Sequence, residues 1–128
     1  MHEISMIIKI ATIPNDEQRY PTWGDYYTYE GVDHIKVSKF ENEDIEFIVA
    51  VHELIEMWLT KKRGIQEPDI TKFDIESGLD DPGESKDAPY HKEHMFAVEV
   101  EKILCKELGI SYEDYYNAQP YGSTDTNK

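Results

Sequence analysis

The sequence predicts an α+β fold, a small antiparallel sheet from the N-terminal third packed on two principal helices. Three observations predict it. Alternating and β-branched segments are confined to the stretch before Glu41, a well-bounded helical period runs from about Asn42 to Arg63, and a second runs from Pro89 or Tyr90 to Gly109. At 128 residues the chain suits one domain. That domain is expected over 1–118, with a mobile polar tail over 119–128.

The first strand is expected over Ile4 to Thr12, where β-branched residues alternate toward the end. From Ile13 to Gly31 the chain mixes turn formers with Tyr20, Trp23, Tyr26, Tyr27 and Tyr29, which predicts an ordered loop with a short strand around Tyr26 to Tyr29. His34 to Phe40 alternates again and reads as a further strand. Asn42 or Asp44 can cap the first long helix, which Gly64 ends after Lys61, Lys62 and Arg63 complement its negative pole. Gln66 to Pro89 carries Pro68, Gly78, Pro82 and Gly83 among many acids, so it reads as a long functional connection with one short helix. After the second long helix, Ser111 can cap a short helix from Tyr112 to Asn117.

Composition narrows the function classes. Hydrophobic residues make up 39% and charged residues 31%, too apolar for wholesale disorder. A formal net charge of −14 repels phosphate backbones and anionic lipid, so neither nucleic acid nor membrane is expected as a partner. No apolar run of about 18 residues is present and the start lacks a basic-then-apolar build, which points to the cytoplasm. The lone Cys105 sits in an apolar helical run and is expected to be a buried free thiol.

On a wheel of 100° per residue, Phe47, Ile48, Val51, Leu54, Ile55, Trp58 and Leu59 form the apolar stripe of the first helix. His52 and Glu56, one turn apart on its edge, can reach one ion from the same face. In the second helix Phe96, Val100, Ile103, Leu104 and Leu108 form the apolar side, with His94, Ala97 and Glu101 on its flank. If the stripes pack together, these polar flanks meet in a shared cleft. Imidazole and carboxylate ligands make a zinc-like set, so a divalent metal, zinc, is expected on His52, Glu56 and His94. His91 can replace or join His94, and Glu101, about two turns beyond His94, suits a place behind a ligand or on a second ion. The bland alternative is a surface His52–Glu56 pair and a solvated first turn over Tyr90 to His94. In the aromatic loop, Arg19 is the residue packing explains least, and its fork could serve an anion.

Several strings carry a resemblance: Glu17-Gln18-Arg19-Tyr20-Pro21-Thr22, Gly24-Asp25, Val51-His52-Glu53-Leu54-Ile55-Glu56, Phe73-Asp74, Asp81-Pro82-Gly83 and Ala88-Pro89-Tyr90-His91-Lys92-Glu93-His94. Over about Ile13 to Tyr115 the chain resembles a group of small phage and prophage proteins, which implies a viral origin and an intracellular setting. More loosely, Phe47-Ile48-Val49-Ala50-Val51-His52-Glu53-Leu54 is similar to the metal helix of zincin metallopeptidases, with Glu56 where that motif has its second histidine. The likeness implies that Glu53 is a general base acting on water.

Two functions follow as expectations. One is a metal-dependent hydrolase of a small nucleotide-like or peptide substrate, with Glu53 activating water and Arg19 or Tyr90 stabilising an oxyanion or phosphate. The other is a binding protein that sequesters a host small-molecule signal or blocks a host protein.

Overall fold

In a computed structural model, which describes residues 6–122, the strands are β1 (Ile8–Ile13), β2 (Gly24–Tyr29) and β3 (Val32–Ser38). The helices are α1 (Glu43–Lys62), α2 (Glu67–Glu76), α3 (His91–Leu108) and α4 (Tyr112–Tyr116), with single 3-10 turns at Asn15–Glu17 and Pro82–Glu84. The α+β expectation holds, but the sheet is mixed rather than antiparallel. Its order is β1-β3-β2, with β3 antiparallel to β2 and parallel to β1.

The difference comes from the loop between β1 and β2. Glu30 and Gly31, both at positive φ, close a two-residue hairpin that makes β2 and β3 neighbours. The preceding loop has to span two strand spacings, roughly 10 Å, leaving the slot between β1 and β2 for β3. Asn15 and Gln18 fasten that loop over the end of β3 by donating to the Ser38 hydroxyl at 3.0 and 3.1 Å. Strand β2 is accordingly longer than the aromatic run indicates, starting at Gly24.

Helix boundaries follow local chemistry. Asn42 accepts from the Asp44 amide at 2.8 Å and Ser111 from the Asp114 amide at 3.0 Å, while Gly64 and Gly109 take the left-handed conformation that ends α1 and α3. Pro68 in the first turn of α2 turns part of the long connection into a helix. Helices α1 and α3 run antiparallel: Arg63 at the end of α1 pairs with Glu93 at the start of α3 at 2.8 Å, and His52 meets Glu101 further along.

The rotation of these two helices departs from the hydrophobic wheel. Phe47, Trp58, Phe96 and Ile103 are 54, 40, 55 and 62% exposed, while His52, Glu56, His94 and Glu101 are buried. The inward rows are Ile45, Val49, His52, Glu56 and Thr60 on α1 and His94, Ala97, Val98, Glu101 and Cys105 on α3. A polar row takes the place of aliphatic surface in the interior, where His52, Glu56 and His94 lie within hydrogen-bonding distance of one another. Around it, Trp23, Ile35, Val37, Phe40, Ile48, Met57 and Tyr115 build the core. Cys105 is buried and free, as its setting predicts.

The expected tail begins in packed structure. Pro120 is buried and the Tyr121 amide donates to the Lys39 carbonyl at 2.8 Å; residues 123–128 lie outside the described residues. Among the described residues no helix is long and apolar enough to cross a membrane.

Candidate metal centre

The antiparallel α1–α3 pair brings His52, Glu56 and His94 to one point. His52 Nε2, Glu56 Oε2 and His94 Nδ1 form a triangle with edges of 3.0, 2.9 and 3.2 Å. Ligand atoms held at about 2.05 Å by a tetrahedral ion stand roughly 3.3 Å apart, so the triangle is a slightly contracted facial set. All three edges are also within hydrogen-bonding distance, and the protonation state decides what the triangle can hold. With both nitrogens protonated, two N–H groups crowd one carboxylate oxygen; with both unprotonated, three lone pairs face one another. A central cation satisfies the second state, and this group can hold a metal ion.

Each ligand atom is oriented from behind. His52 Nδ1 lies 2.6 Å from Glu101 Oε2, and His94 Nε2 lies 3.4 Å from Asp81 Oδ1, both as ion contacts off the hydrogen-bond axis. A carboxylate behind the second nitrogen is the usual support of a metal-bound imidazole. Glu101 is itself held by Tyr115 and Tyr112, whose hydroxyls donate at 3.1 and 3.3 Å, and Tyr26 donates to the free oxygen of Glu56 at 3.1 Å. Gly83 lets the loop press on the imidazole: a Cβ there would stand 2.3 Å from His94 Cγ. Gly24 does the same for Glu53, where a Cβ would meet Cγ at 2.5 Å.

The ion-free electrostatics follow from this packing. Burial alone would raise the Glu56 carboxyl, but hydrogen bonds from His52 and His94 outweigh it and hold it down to about 2. Burial would lower both imidazoles; the Glu101 and Glu56 carboxylates instead raise His52, and Asp81 with Glu56 raises His94 to about 10. Glu53 is pushed well up by burial and by the neighbouring Glu56 charge. Its Oε2 stands 3.9 Å from His52 Nε2, and it lines the same cleft as the triad. The inward rotation of α1 is what turns Glu53 toward the cleft.

Other predicted residues have different neighbours. His91 Nδ1 donates to the Gly83 carbonyl at 2.8 Å and is not in the converging group. The Tyr90 hydroxyl donates to Asp74, which also accepts from Tyr20 at 2.9 Å. Burial lifts Asp74 to about 6, against the opposing effect of those two hydroxyls. Arg19 is not brought to the cleft. Its Nε and a terminal nitrogen grip buried Asp25 at 2.6 and 2.9 Å, and its guanidinium lies over the Tyr27 ring. Arg19→Ala is therefore expected to cost about 1–2 kcal/mol in thermal or denaturant unfolding, because Asp25 loses its partner while water partly replaces a side chain 44% exposed. Metal content should not change.

Asp81 and Gly83 come from the long connection, Gly24 from the start of β2 and Tyr26 from its middle. The helix wheels cannot reveal them. The strings Gly24-Asp25 and Asp81-Pro82-Gly83 were the available signal, since a glycine beside an acid marks a close backbone approach to something polar. A second group, Asp81, Glu84 and His94, also lies within ligand range, but Glu84 is exposed and the group needs the same imidazole.

Fold and donor set together define an α+β protein with an interhelical His/Glu group able to hold a metal ion. The chain matches no protein-family model, no curated protein and no solved structure.

Proposed function

We propose that the protein is a zinc-dependent hydrolase in which His52, Glu56 and His94 are the ligands and Glu53 is the general base. The observation that carries this reading is the triangle of three buried ligand atoms, each histidine backed by a carboxylate, with a further carboxylate beside it. Two nitrogens and one carboxylate oxygen suit zinc and leave a fourth position for water or substrate. An ion held by His52, Glu56 and His94 would polarise a carbonyl and make a bound water acidic near neutral pH.

The chain supplies the rest. Glu53, whose carboxylate lines the cleft beside the three ligands, would take a proton from the attacking water and return it to the leaving amine as the acyl C–N bond breaks and the C–O bond forms. Gly24 sets the position of that carboxylate by leaving room for it. Glu101 and Asp81 place a negative charge behind each imidazole, which would strengthen it as a ligand. A phage origin and a cytoplasmic setting in the host are part of the same proposal.

Elemental analysis of protein purified without added metal is the direct test, with about one equivalent of zinc expected and a rise in melting temperature when stripped protein is reloaded. A stripped protein that neither retains zinc nor is stabilised by it would overturn the reading.

A further inference from the structure

The cleft around the triad has a volume of about 130 Å³ and is lined by acids and aromatic rings, without a single lysine or arginine among its described lining. Beyond Glu56 and Glu101 its carboxylates are Asp25, Glu53, Glu67, Asp74, Asp80 and Asp81. Arg19 offsets Asp25 from behind, and a divalent ion would offset two more charges; the lining stays negative. Two of these acids face the cleft without a cation of their own. Glu53 has no hydrogen-bond donor among the described residues, its nearest basic group being the His52 imidazole at 3.9 Å. Asp74 receives only the neutral hydroxyls of Tyr20 and Tyr90.

We propose that the cleft recognises a positively charged group of the substrate, an amine or guanidinium, held at Asp74 beside the hydroxyls of Tyr20 and Tyr90. This deepens the hydrolase reading and rests on it for the position of the bond that is cut. The cation end is one tyrosine away from the metal centre: Tyr90 donates to Asp74, and its ring centroid lies 6.1 Å from that of His94, edge-on. A short basic amide or a peptide with a nearby amino group spans that separation. A carboxylate shielded from water binds such a cation more strongly than an exposed one. Away from the metal centre a phosphate finds no lysine or arginine in the lining. The one guanidinium the sequence offered for it is spent on Asp25. On this proposal the peptide alternative of the expected substrate suits the cleft better than the nucleotide-like one.

Benzamidine and benzamide, nearly the same shape and differing in charge, separate the effect of charge from that of the ring. Each is titrated by NMR into zinc-loaded and into metal-stripped protein. Benzamidine is expected to bind at least about tenfold more tightly, the effect of one partly shielded charged hydrogen bond, and to weaken at high salt. Ring signals of Tyr20 and Tyr90 should shift on binding. Asp74→Asn should bring the two affinities within about threefold while zinc content is unchanged. Equal affinities in wild-type protein, shifts confined to residues outside the cleft, or a preference that survives in a folded Asp74→Asn variant would each overturn the proposal. The stripped protein keeps the two readings apart, since a protein that holds no zinc but still prefers benzamidine retains the cation site and loses the hydrolase.

Discussion

Glu53→Gln is expected to leave the metal content intact and to reduce turnover by roughly 10²- to 10⁴-fold, because the substitution keeps the shape pressed against Gly24 but removes the basicity. The measurement is consumption of a pool of short peptides, including ones with basic termini, by zinc-loaded protein, followed by mass spectrometry. Loss of turnover with the ion retained places Glu53 in the proton transfer. Equal consumption by both proteins would keep an enzyme and dismiss Glu53. A wild-type protein that consumes nothing and releases its ligand intact after denaturation would instead be a binder, the second function expected from the sequence.

The His52→Ala and His94→Ala double substitution is expected to abolish metal loading, since two of three ligands leave and the remaining Glu56 carboxylate cannot hold the ion alone. Retained stoichiometric zinc would reject the ligand set. Wild-type affinity should also change steeply with pH. In the ion-free protein His94 keeps its proton up to about 10 and His52 is raised as well, so near neutrality the ion displaces protons from both. Affinity should therefore rise with pH, by up to about a hundredfold per unit while two protons are released. The ion-free fold responds oppositely. A histidine raised in the folded state lends stability below its ordinary value near 6.5, and this is lost as pH climbs through about 10. Glu56, held down to about 2, lends stability above its ordinary 4.5 that is lost as pH falls toward 2. Equilibrium dialysis against zinc between pH 6 and 8 checks the first trend, and a flat profile would indicate carboxylate-only ligation.

Where local chemistry decides, the sequence was legible. Asn42, Gly64, Gly109 and Ser111 marked helix ends that the structure places within a residue or two, because a cap acts through groups two or three positions away. The spacing of His52 and Glu56, and the place of His94 on a second helix, selected three residues that the fold brings together. Strand order was not legible. Whether β3 enters between β1 and β2 depends on how the loop over 14–23 crosses the sheet end, and no alternation pattern encodes that path. Helix rotation was misread for a related reason. A wheel assumes that Phe47 and Trp58 outrank His52 and Glu56 for burial, and it cannot count partners such as Glu101 and His94 that arrive some 40 to 50 positions later.

Those late partners have a bearing on how the molecule is assembled. His52 and His94 are separated by 42 positions along the chain, and between them lie α2 and the acidic connection that forms one wall of the cleft. An ion shared by the two imidazoles closes that stretch into a ring, as a disulfide would, and a permanent link across such a ring restricts the unfolded chain by an amount on the order of 4 kcal/mol in the chain-entropy view. Unlike a disulfide, the link exists only while the ion is supplied. Its contribution follows from mass action, growing by about 1.4 kcal/mol for each tenfold excess of free ion over the dissociation constant. With the proposed ion bound, the wall formed by Asp74, Asp81 and Gly83 would be tied to the core by a cross-link whose strength follows the supply of that ion, joining the shape of the cleft to metal supply through the topology of the chain.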